Sequence, residues 1–241
     1  MISLGVMFIS GFFHGIAGFG FPMIATPLLS LTHSVQAAVL ATLLPTMAVN
    51  FFTIKAMKNG TFIVKRFWLL SLCIIAGSWG GTQLLVLYPT EIYKLLLACV
   101  IVLYLVRDKL HLSLGNSVEH FFWPMMILFG LLSGIVSGLV NVMIPILIIY
   151  VLELKLDKNS AIALMNVCFL SSKITQIITF TALGTFGINE LFWAIPAVII
   201  ALLALMLGKR FHDKIDPLLY QKILKTMLWL MALMLLIQYC Y

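Results

Sequence analysis

Apolar residues along the chain fall into long runs separated by short polar segments, and the two halves show the same order of runs. In the first half the apolar runs lie at residues 2–31, 35–54, 67–87 and 92–106. In the second half they lie at 121–152, 160–183, 191–207 and 218–239. A helix needs about 20 apolar residues to cross the hydrocarbon core of a bilayer. The pattern therefore predicts an all-α fold, a polytopic transmembrane helical bundle.

The first run of each half is long for one span and is interrupted by glycine and proline. The interrupting residues are Gly15, Gly18, Gly20, Pro22 and Pro27, then Gly130, Gly134, Gly138 and Pro145. Glycine frees the backbone, and proline is favoured in the first turn of a helix. We expect each run to form two half-helices that enter the membrane and return. Asn141 is the expected N-cap of the second half-helix in the second half.

Weak internal similarity relates the two halves. The pattern Gly11-x-x-x-Gly15 matches Gly130-x-x-x-Gly134 at an offset of 119 residues, and Thr42 corresponds to Asn166 at an offset of 124. Such symmetry is typical of transporter folds. We predict one membrane domain, residues 1–241, with a first repeat at 1–106, a connecting loop at 107–118 and a second repeat at 119–241.

Loop charge predicts how the repeats are oriented. If each broken run returns without crossing, each half has three full spans, and an odd number inverts the second half. Eleven basic residues of the loops then share one side: Lys55, Lys58, Lys65, Arg66, Arg107, Lys109, Lys155, Lys158, Lys209, Arg210 and Lys214. Only Lys94 lies on the other side. Because basic loops stay in the cytoplasm, we predict inverted-topology repeats with both termini outside it.

Composition excludes several classes of protein. The chain is 63% hydrophobic and 10% charged, whereas a soluble domain is about half apolar and about a quarter charged. The net charge of +7 could suit nucleic acid, but the basic residues sit in short loops beside apolar runs, so we expect the lipid bilayer and no nucleic acid. No metalloprotease motif, P-loop or nucleophile elbow is present. We therefore expect no enzyme activity, no cofactor and no metal site.

The break at Gly18, Gly20 and Pro22 is a candidate binding site. Backbone N–H groups at a helix start are unpaired and carry partial positive charge, which suits anions. Irregular backbone survives at membrane depth only where it is buried in protein or lines a cavity. For Gly11 and Gly15, and for Gly130 and Gly134, close helix packing is the alternative interpretation.

Lys173 is the strongest single candidate for a substrate-binding residue. It lies thirteen residues into the run at 160–183, and no apolar run contains Asp or Glu except near its ends. A lysine at this depth costs several kcal/mol unless it is paired or hydrated. Its expected partners are a bound anion, water or backbone carbonyls, and the alternative is that it snorkels to an interface. His14, just before the first break, either exchanges protons and donates to a substrate or is a satisfied packing histidine.

Two polar stripes could line a central site. Residues of the first lie four apart on one helix face, and residues of the second lie seven and three apart on another. They are Thr42, Thr46 and Asn50, then Asn166, Lys173 and Gln176. For each threonine, a hydroxyl bonded back to its own helix is the alternative.

The glycine-rich stretch from Gly15 through Gly18, Gly20 and Pro22 resembles the first signature of the sulfite exporter TauE/SafE family. Residues 130–161, with the loop Leu156-Asp157-Lys158, resemble its second signature. The resemblance covers nearly the whole chain and implies a bacterial or archaeal plasma-membrane permease for sulfur-containing or organic anions, such as sulfite or sulfonates. The chain differs from the family pattern at residues 138–145, which leaves open a substrate other than sulfite.

We therefore expect a secondary transporter of small anions that works by alternating access, with the substrate between the helix starts at 18–22 and 138–142. The expected substrate-binding residues are His14, Gly18, Gly20, Pro22, Thr46, Asn50, Asn141, Asn166, Lys173 and Gln176. A permease for a cation or neutral solute, and a membrane scaffold or accessory subunit, remain alternatives. A homodimer and coupling to protons or Na⁺ also remain open.

Overall fold

A computed structural model describes residues 2–56, 60–110, 121–212 and 217–240, and these form helices joined by short connections. The helices of the first half are α1 Ile2–Ala17, α2 Phe21–Ser30, α3 Val35–Lys55, α4 Gly60–Arg66, α5 Trp68–Leu87 and α6 Ile92–Leu110. Those of the second half are α7 Phe122–Val140, α8 Ile144–Glu153, α9 Lys158–Ala182, α10 Ile188–Phe211 and α11 Pro217–Cys240.

Six of these helices are long and apolar enough to cross a membrane: α3, α5, α7, α9, α10 and most of α11. Their outer faces expose large apolar side chains, and on α10 Trp193 is 83% exposed and Phe192 66% exposed. Apolar exposure on this scale suits contact with lipid rather than water. The prediction of an all-α, polytopic transmembrane bundle is confirmed.

Two segments differ in detail from the sequence pattern. The basic loop predicted between α3 and α5 contains a short helix, α4. The fourth helix, α6, continues to Leu110, past the expected boundary at residue 106. Most of the predicted connecting loop at 107–118 lies outside the described residues.

Both predicted helix breaks are present. Gly18 and Gly20 have φ of 81° and 99°, in the left-handed region that favours glycine, and Asn141 has φ of 63°. Pro22 and Pro145 lie in the first turn after each break, where the missing N–H costs no hydrogen bond. The segments are unequal, because α1 and α7 have 16 and 19 residues whereas α2 and α8 have 10 each.

Contacts show that α2 turns back along α1. Near the end of α1, His14 Nε2 lies 3.1 Å from Thr53 Oγ1, near the end of α3. After the break the chain must reach Val35 at the other end of α3, about 30 Å away for a helix of this length. The second half repeats this arrangement, since Gln176 Nε2 in α9 donates to Ser137 O near the end of α7 at 2.7 Å. The chain then returns through α8 to the start of α9.

Glycines allow α1 to pack closely against α10. A Cβ atom at Gly11 would lie 2.5 Å from Ala201 O, and one at Gly15 would lie 2.4 Å from Leu205 O. Contacts advance together along both helices, so the helices run parallel. Small residues of this kind let helix backbones approach, which supports the packing interpretation of Gly11 and Gly15.

The helices α5 and α7 form the matching pair. A Cβ at Gly77 would lie 2.4 Å from Leu131 O, and one at Gly81 would lie 2.4 Å from Ile135 O. These two helices are also parallel. In both pairs the first helix of one half packs against the third predicted span of the other half.

Structural landmarks of the two halves lie 123 residues apart. The pairs are Gly18 with Asn141 in the left-handed region, Pro22 with Pro145, and the N-caps Ser34 and Asp157. Asp157 accepts from the backbone N–H of Ser160 at 3.1 Å, and hydrogen bonds from Ser160 hold the pKa of its carboxyl below the usual value.

The offsets of 119 and 124 expected from the sequence were therefore wrong. Gly11 and Gly15 correspond to Gly134 and Gly138, one helical turn beyond the predicted match. The error arose because α7 carries three glycines at four-residue spacing, and a two-glycine motif fits this stripe in two registers. Thr42 corresponds to Met165 rather than to Asn166.

Candidate functional site

Lys173 is fully buried in the middle of α9. Its amino group donates hydrogen bonds to Asn141 Oδ1 and to Gln176 Oε1. The side chain therefore does not snorkel to an interface. Its partners are neutral side-chain amides, which the sequence had not indicated as the partners of a lysine.

Asn141 connects three other helices to the end of α7. Its Nδ2 donates to Thr26 Oγ1 of α2 at 2.9 Å and to Thr42 Oγ1 of α3 at 2.8 Å, while its Oδ1 accepts from Lys173 of α9. The prediction that Asn141 caps the start of α8 was wrong. Asn141 ends α7 in the left-handed region, and the residue at the N-cap of α8 is Met143, without a side-chain cap. Asparagine tolerates this backbone conformation, and its amide is committed to neighbouring helices.

Hydrogen bonding fixes the orientation of both amides around the amino group. Thr42 donates its hydroxyl proton to carbonyls of its own helix, so it accepts from Asn141 Nδ2 and the Asn141 oxygen faces Lys173. Gln176 Nε2 donates to Ser137 O, so the Gln176 oxygen also faces Lys173. An ammonium group has three donors. Two are used by these amides, which leaves one N–H for a ligand or water.

A chain of serine hydroxyls lies beside this cluster. Ser172 Oγ is 2.9 Å from Ser78 Oγ and 2.8 Å from Ser137 Oγ, which joins α9 to both α5 and α7. Ser78, Ser137 and Thr26 were not among the residues predicted from the sequence. Ser78 and Ser137 lie in the glycine-rich stripes of α5 and α7, and close packing of these stripes was the signal that could have found them.

No carboxylate neutralises Lys173 among the described residues. The one salt bridge between described side chains joins Lys94 Nζ to Glu91 Oε2 at 2.8 Å, at the start of α6. Glu153, Asp157 and Glu190 lie at or beside helix ends. The lysine therefore places an amino group, held only by neutral side chains among the described residues, in the interior of an apolar bundle.

His14 is bonded through both ring nitrogens. Its Nδ1 accepts from the backbone N–H of Phe21 at 3.3 Å, and its Nε2 lies 3.1 Å from Thr53 Oγ1. Thr53 donates its proton to the Val49 carbonyl, so His14 Nε2 is the donor to Thr53. The ring thus occupies the first free N–H of α2, and both nitrogens are satisfied within the protein, as expected for a packing histidine.

The two helix starts differ as anion sites. At α2 the N–H of Phe21 is taken by His14. At α8 the N–H groups of Val142, Met143 and Ile144 have no acceptor within the part of the chain that the structure describes. The breaks adjoin each other, because a Cβ at Gly20 would lie 3.8 Å from Ile144 Cδ1. The start of α8, which lies next to Asn141, is the better cradle for an anion.

Thr46 and Asn50 of α3 and Asn166 of α9 are further buried polar residues, and Asn166 bonds to the first break. Asn50 Nδ2 donates to Thr46 O at 2.7 Å, and Asn166 Nδ2 donates to Gly18 O at 2.7 Å and Ile162 O at 2.8 Å. Asn50 Oδ1, Asn166 Oδ1 and Thr46 Oγ1 have no partner among the described residues.

The predicted site residues therefore divide into groups. Asn141, Lys173 and Gln176 are in direct contact at the second break. At the first break lie His14, Gly18, Gly20, Pro22 and Asn166. Thr46 and Asn50 lie in α3 between Thr42, which binds Asn141, and Thr53, which binds His14. No hydrogen bond between described side chains joins Asn50 to Lys173.

A bundle of apolar helices with two broken helices and a buried polar interior defines a polytopic membrane protein of the transporter type. The sequence model of the family described as Sulfite exporter TauE/SafE matches residues 3–235, and the chain belongs to this family. This is a family of membrane transporters. The match confirms the resemblance to this family that was found in the sequence. No curated protein and no solved structure matches the chain.

Proposed function

We propose that this protein is a secondary transporter of small anions, with sulfite or an organosulfonate as its substrate. The observation that carries this proposal is the buried amino group of Lys173, which has amide oxygens as its protein partners and one N–H left to donate. Membership of the sulfite exporter family supports a sulfur-containing anion.

The surroundings of Lys173 favour an oxyanion over a cation. A charged side chain at the centre of a bilayer costs several kcal/mol, and an anion beside it offsets much of that cost. The free N–H groups at the start of α8 add a partial positive charge on the same side as Asn141. The hydroxyl of Ser172, the residue before Lys173, is bonded to the hydroxyls of Ser137 and Ser78, which makes this side of the lysine polar. Together these groups suit a ligand with several acceptor oxygens.

Transport would proceed by alternating access between two repeats of inverted topology. Two observations support a pseudo-two-fold relation between the repeats. Corresponding features lie 123 residues apart, and the first helix of each half packs against a helix of the other half, α1 against α10 and α7 against α5. Asn141, Lys173 and Gln176 are each fully buried, so a substrate could reach them only after one repeat moves against the other. We place the protein in the plasma membrane of a prokaryote, with the basic loops cytoplasmic and both termini outside the cytoplasm.

The test is flux through purified protein in liposomes. The panel would contain sulfite, sulfoacetate, sulfate, acetate and a divalent metal. We expect one anion to move selectively, and we expect Lys173→Met, which keeps the length of the side chain but removes its charge, to reduce that flux at least about tenfold, since loss of one charge-assisted hydrogen bond corresponds to about 1.5–3 kcal/mol. Lys94→Met is the matched control, because Lys94 pairs with Glu91 at the protein surface.

Other outcomes would favour the alternatives. Saturable movement of the metal, without competition by anions, would favour a cation permease. Absence of flux from folded protein would favour a scaffold or accessory subunit. Undiminished anion flux in folded Lys173→Met would refute the role of the lysine in binding.

A further inference from the structure

Asn50 in the first half corresponds to Lys173 in the second half. The two residues lie 123 positions apart, which is the offset that relates the other corresponding features of the two halves. Their neighbours correspond as well, because the contact between His14 and Thr53 repeats as the contact between Ser137 and Gln176. The first half thus carries a neutral amide at the position where the second half carries an ammonium group.

Hydrogen bonds place Asn50 and Asn166 at the same level of the bundle. Thr42 and Lys173 are both bonded to Asn141, which sets the register between α3 and α9. Eight residues from Thr42 to Asn50 and seven residues from Lys173 to Asn166 both cover about 11–12 Å of helix. These steps lead to the same level, because α3 and α9 are antiparallel: Thr42 meets Lys173 through Asn141, whereas the end of α3 beyond Asn50 meets Asn166 through the first break.

The contacts of the first break also bring these parts of α3 and α9 together. Gly18 N donates to His14 O at 2.7 Å, and His14 contacts Thr53, one turn beyond Asn50 in α3. On the other side Gly18 O accepts from Asn166 Nδ2. The break therefore lies between the part of α3 that carries Asn50 and the part of α9 that carries Asn166.

Three buried oxygens in this region have no donor within the described part of the chain. They are Asn50 Oδ1, Asn166 Oδ1 and Thr46 Oγ1, from side chains that are 0% exposed. Each amide nitrogen is already committed to a backbone carbonyl, so rotating either amide would only exchange one unpaired group for another. Unpaired buried oxygens are unfavourable.

We propose that these three oxygens bind a monovalent cation, Na⁺. The ion occupies the position in the first half that corresponds to the position of the Lys173 ammonium group in the second half. In the second half two amide oxygens, from Asn141 and Gln176, hold the ammonium. In the first half Gly18 replaces Asn141 and has no side chain, and Asn166 supplies an amide oxygen from α9 instead. Uncharged oxygen ligands suit a monovalent ion, whereas divalent ions in proteins use carboxylates. Broken helices bind Na⁺ in other transporter folds.

The cation site rests on the proposed function in one respect, since Na⁺ bound there would move together with the anion. Its first test needs no transport. Thermal unfolding of the purified full chain would be measured while NaCl replaces choline chloride at constant ionic strength, with KCl and LiCl for comparison. We expect a saturable rise of the melting temperature with Na⁺, because a ligand that binds the native state stabilises it.

Two variants locate the site. Thr46→Val keeps the side-chain volume and removes one oxygen, and we expect at least a tenfold higher half-saturating Na⁺ concentration. Thr82→Val is the matched control, because Thr82 is also a buried threonine with an unpartnered hydroxyl but lies in α5. Equal half-saturating concentrations in the two variants would overturn the assignment. Asn50→Lys should make the melting temperature independent of Na⁺, since a tethered ammonium would occupy the site.

The outcomes separate this inference from the proposed function. Anion flux with a melting temperature that is the same in NaCl, KCl, LiCl and choline chloride would refute the Na⁺ site and leave the anion transporter standing. A saturable effect of Na⁺ that Thr46→Val weakens, without flux of any anion in the panel, would keep the site and refute the anion transporter. An effect that is equal for Na⁺, K⁺ and Li⁺ would overturn the assignment to Na⁺.

Discussion

Adjacent glycines in α5 offer a sharp test of how the helices around the site pack. A Cβ atom at Gly81 would lie 2.4 Å from Ile135 O and 3.1 Å from the Cα atom of Gly138, whereas one at Gly80 would meet nothing within 4 Å. The substitutions Gly81→Ala and Gly80→Ala therefore differ only in the direction of the added methyl group. They change the same helix by the same chemistry.

The distances set the expected magnitudes. Ordinary contacts of a Cβ begin at 3.4 Å, so Gly81→Ala forces α5 and α7 apart by about 1 Å. Overpacking of this kind costs about 1–3 kcal/mol. Alanine is favoured over glycine in a helix by about 0.5–1 kcal/mol. We expect Gly80→Ala to be neutral or stabilising by that amount, and Gly81→Ala to be less stable than Gly80→Ala by about 1–3 kcal/mol.

The same displacement should impair transport. Ser78 in α5 and Ser137 in α7 both bond to Ser172, at 2.9 and 2.8 Å, and a shift of about 1 Å would break at least one of these contacts, since hydrogen bonds between hydroxyls extend only to about 3.0 Å. Melting temperatures in detergent and anion flux in liposomes would be measured for both variants. Equal melting temperatures and equal flux would refute the close packing of α5 on α7 on which the geometry of the site depends.

Two further predictions concern the helix breaks. His14→Leu leaves the buried N–H of Phe21 without its acceptor, so we expect a loss of stability of about 1–3 kcal/mol. The control is His33→Leu, at an exposed position, which should melt like the wild type. Equal melting temperatures of the two variants would contradict the role of His14 as the acceptor for Phe21. Asn141→Gly and Asn141→Ala both remove the amide that binds Lys173, and both should lower anion flux. The alanine variant should be less stable than the glycine variant by about 1 kcal/mol, because a left-handed conformation costs a residue with a Cβ about 1–2 kcal/mol. An alanine variant at least as stable as the glycine variant would argue against the left-handed conformation at Asn141.

Local sequence features were enough to predict the class of fold and the places where helices break. Long apolar runs can satisfy their backbone groups in lipid only as helices, so the bundle follows from composition and run length alone. The break at Gly18 and Pro22 was predictable because positive φ and a missing N–H are local properties of glycine and proline. Lys173 stood out because its charge is incompatible with a bare apolar run.

Tertiary structure alone decided which groups meet at the site. Lys173 binds Asn141, 32 residues away, and Asn141 in turn binds Thr26, 115 residues away. No periodicity along the chain encodes these contacts, because they depend on how α2, α3, α7 and α9 cross. The role of Asn141 was misjudged for the same reason. Asparagine is as suitable for an N-cap as for a left-handed helix end, and only the neighbouring hydroxyls and the ammonium group of other helices select between these two roles.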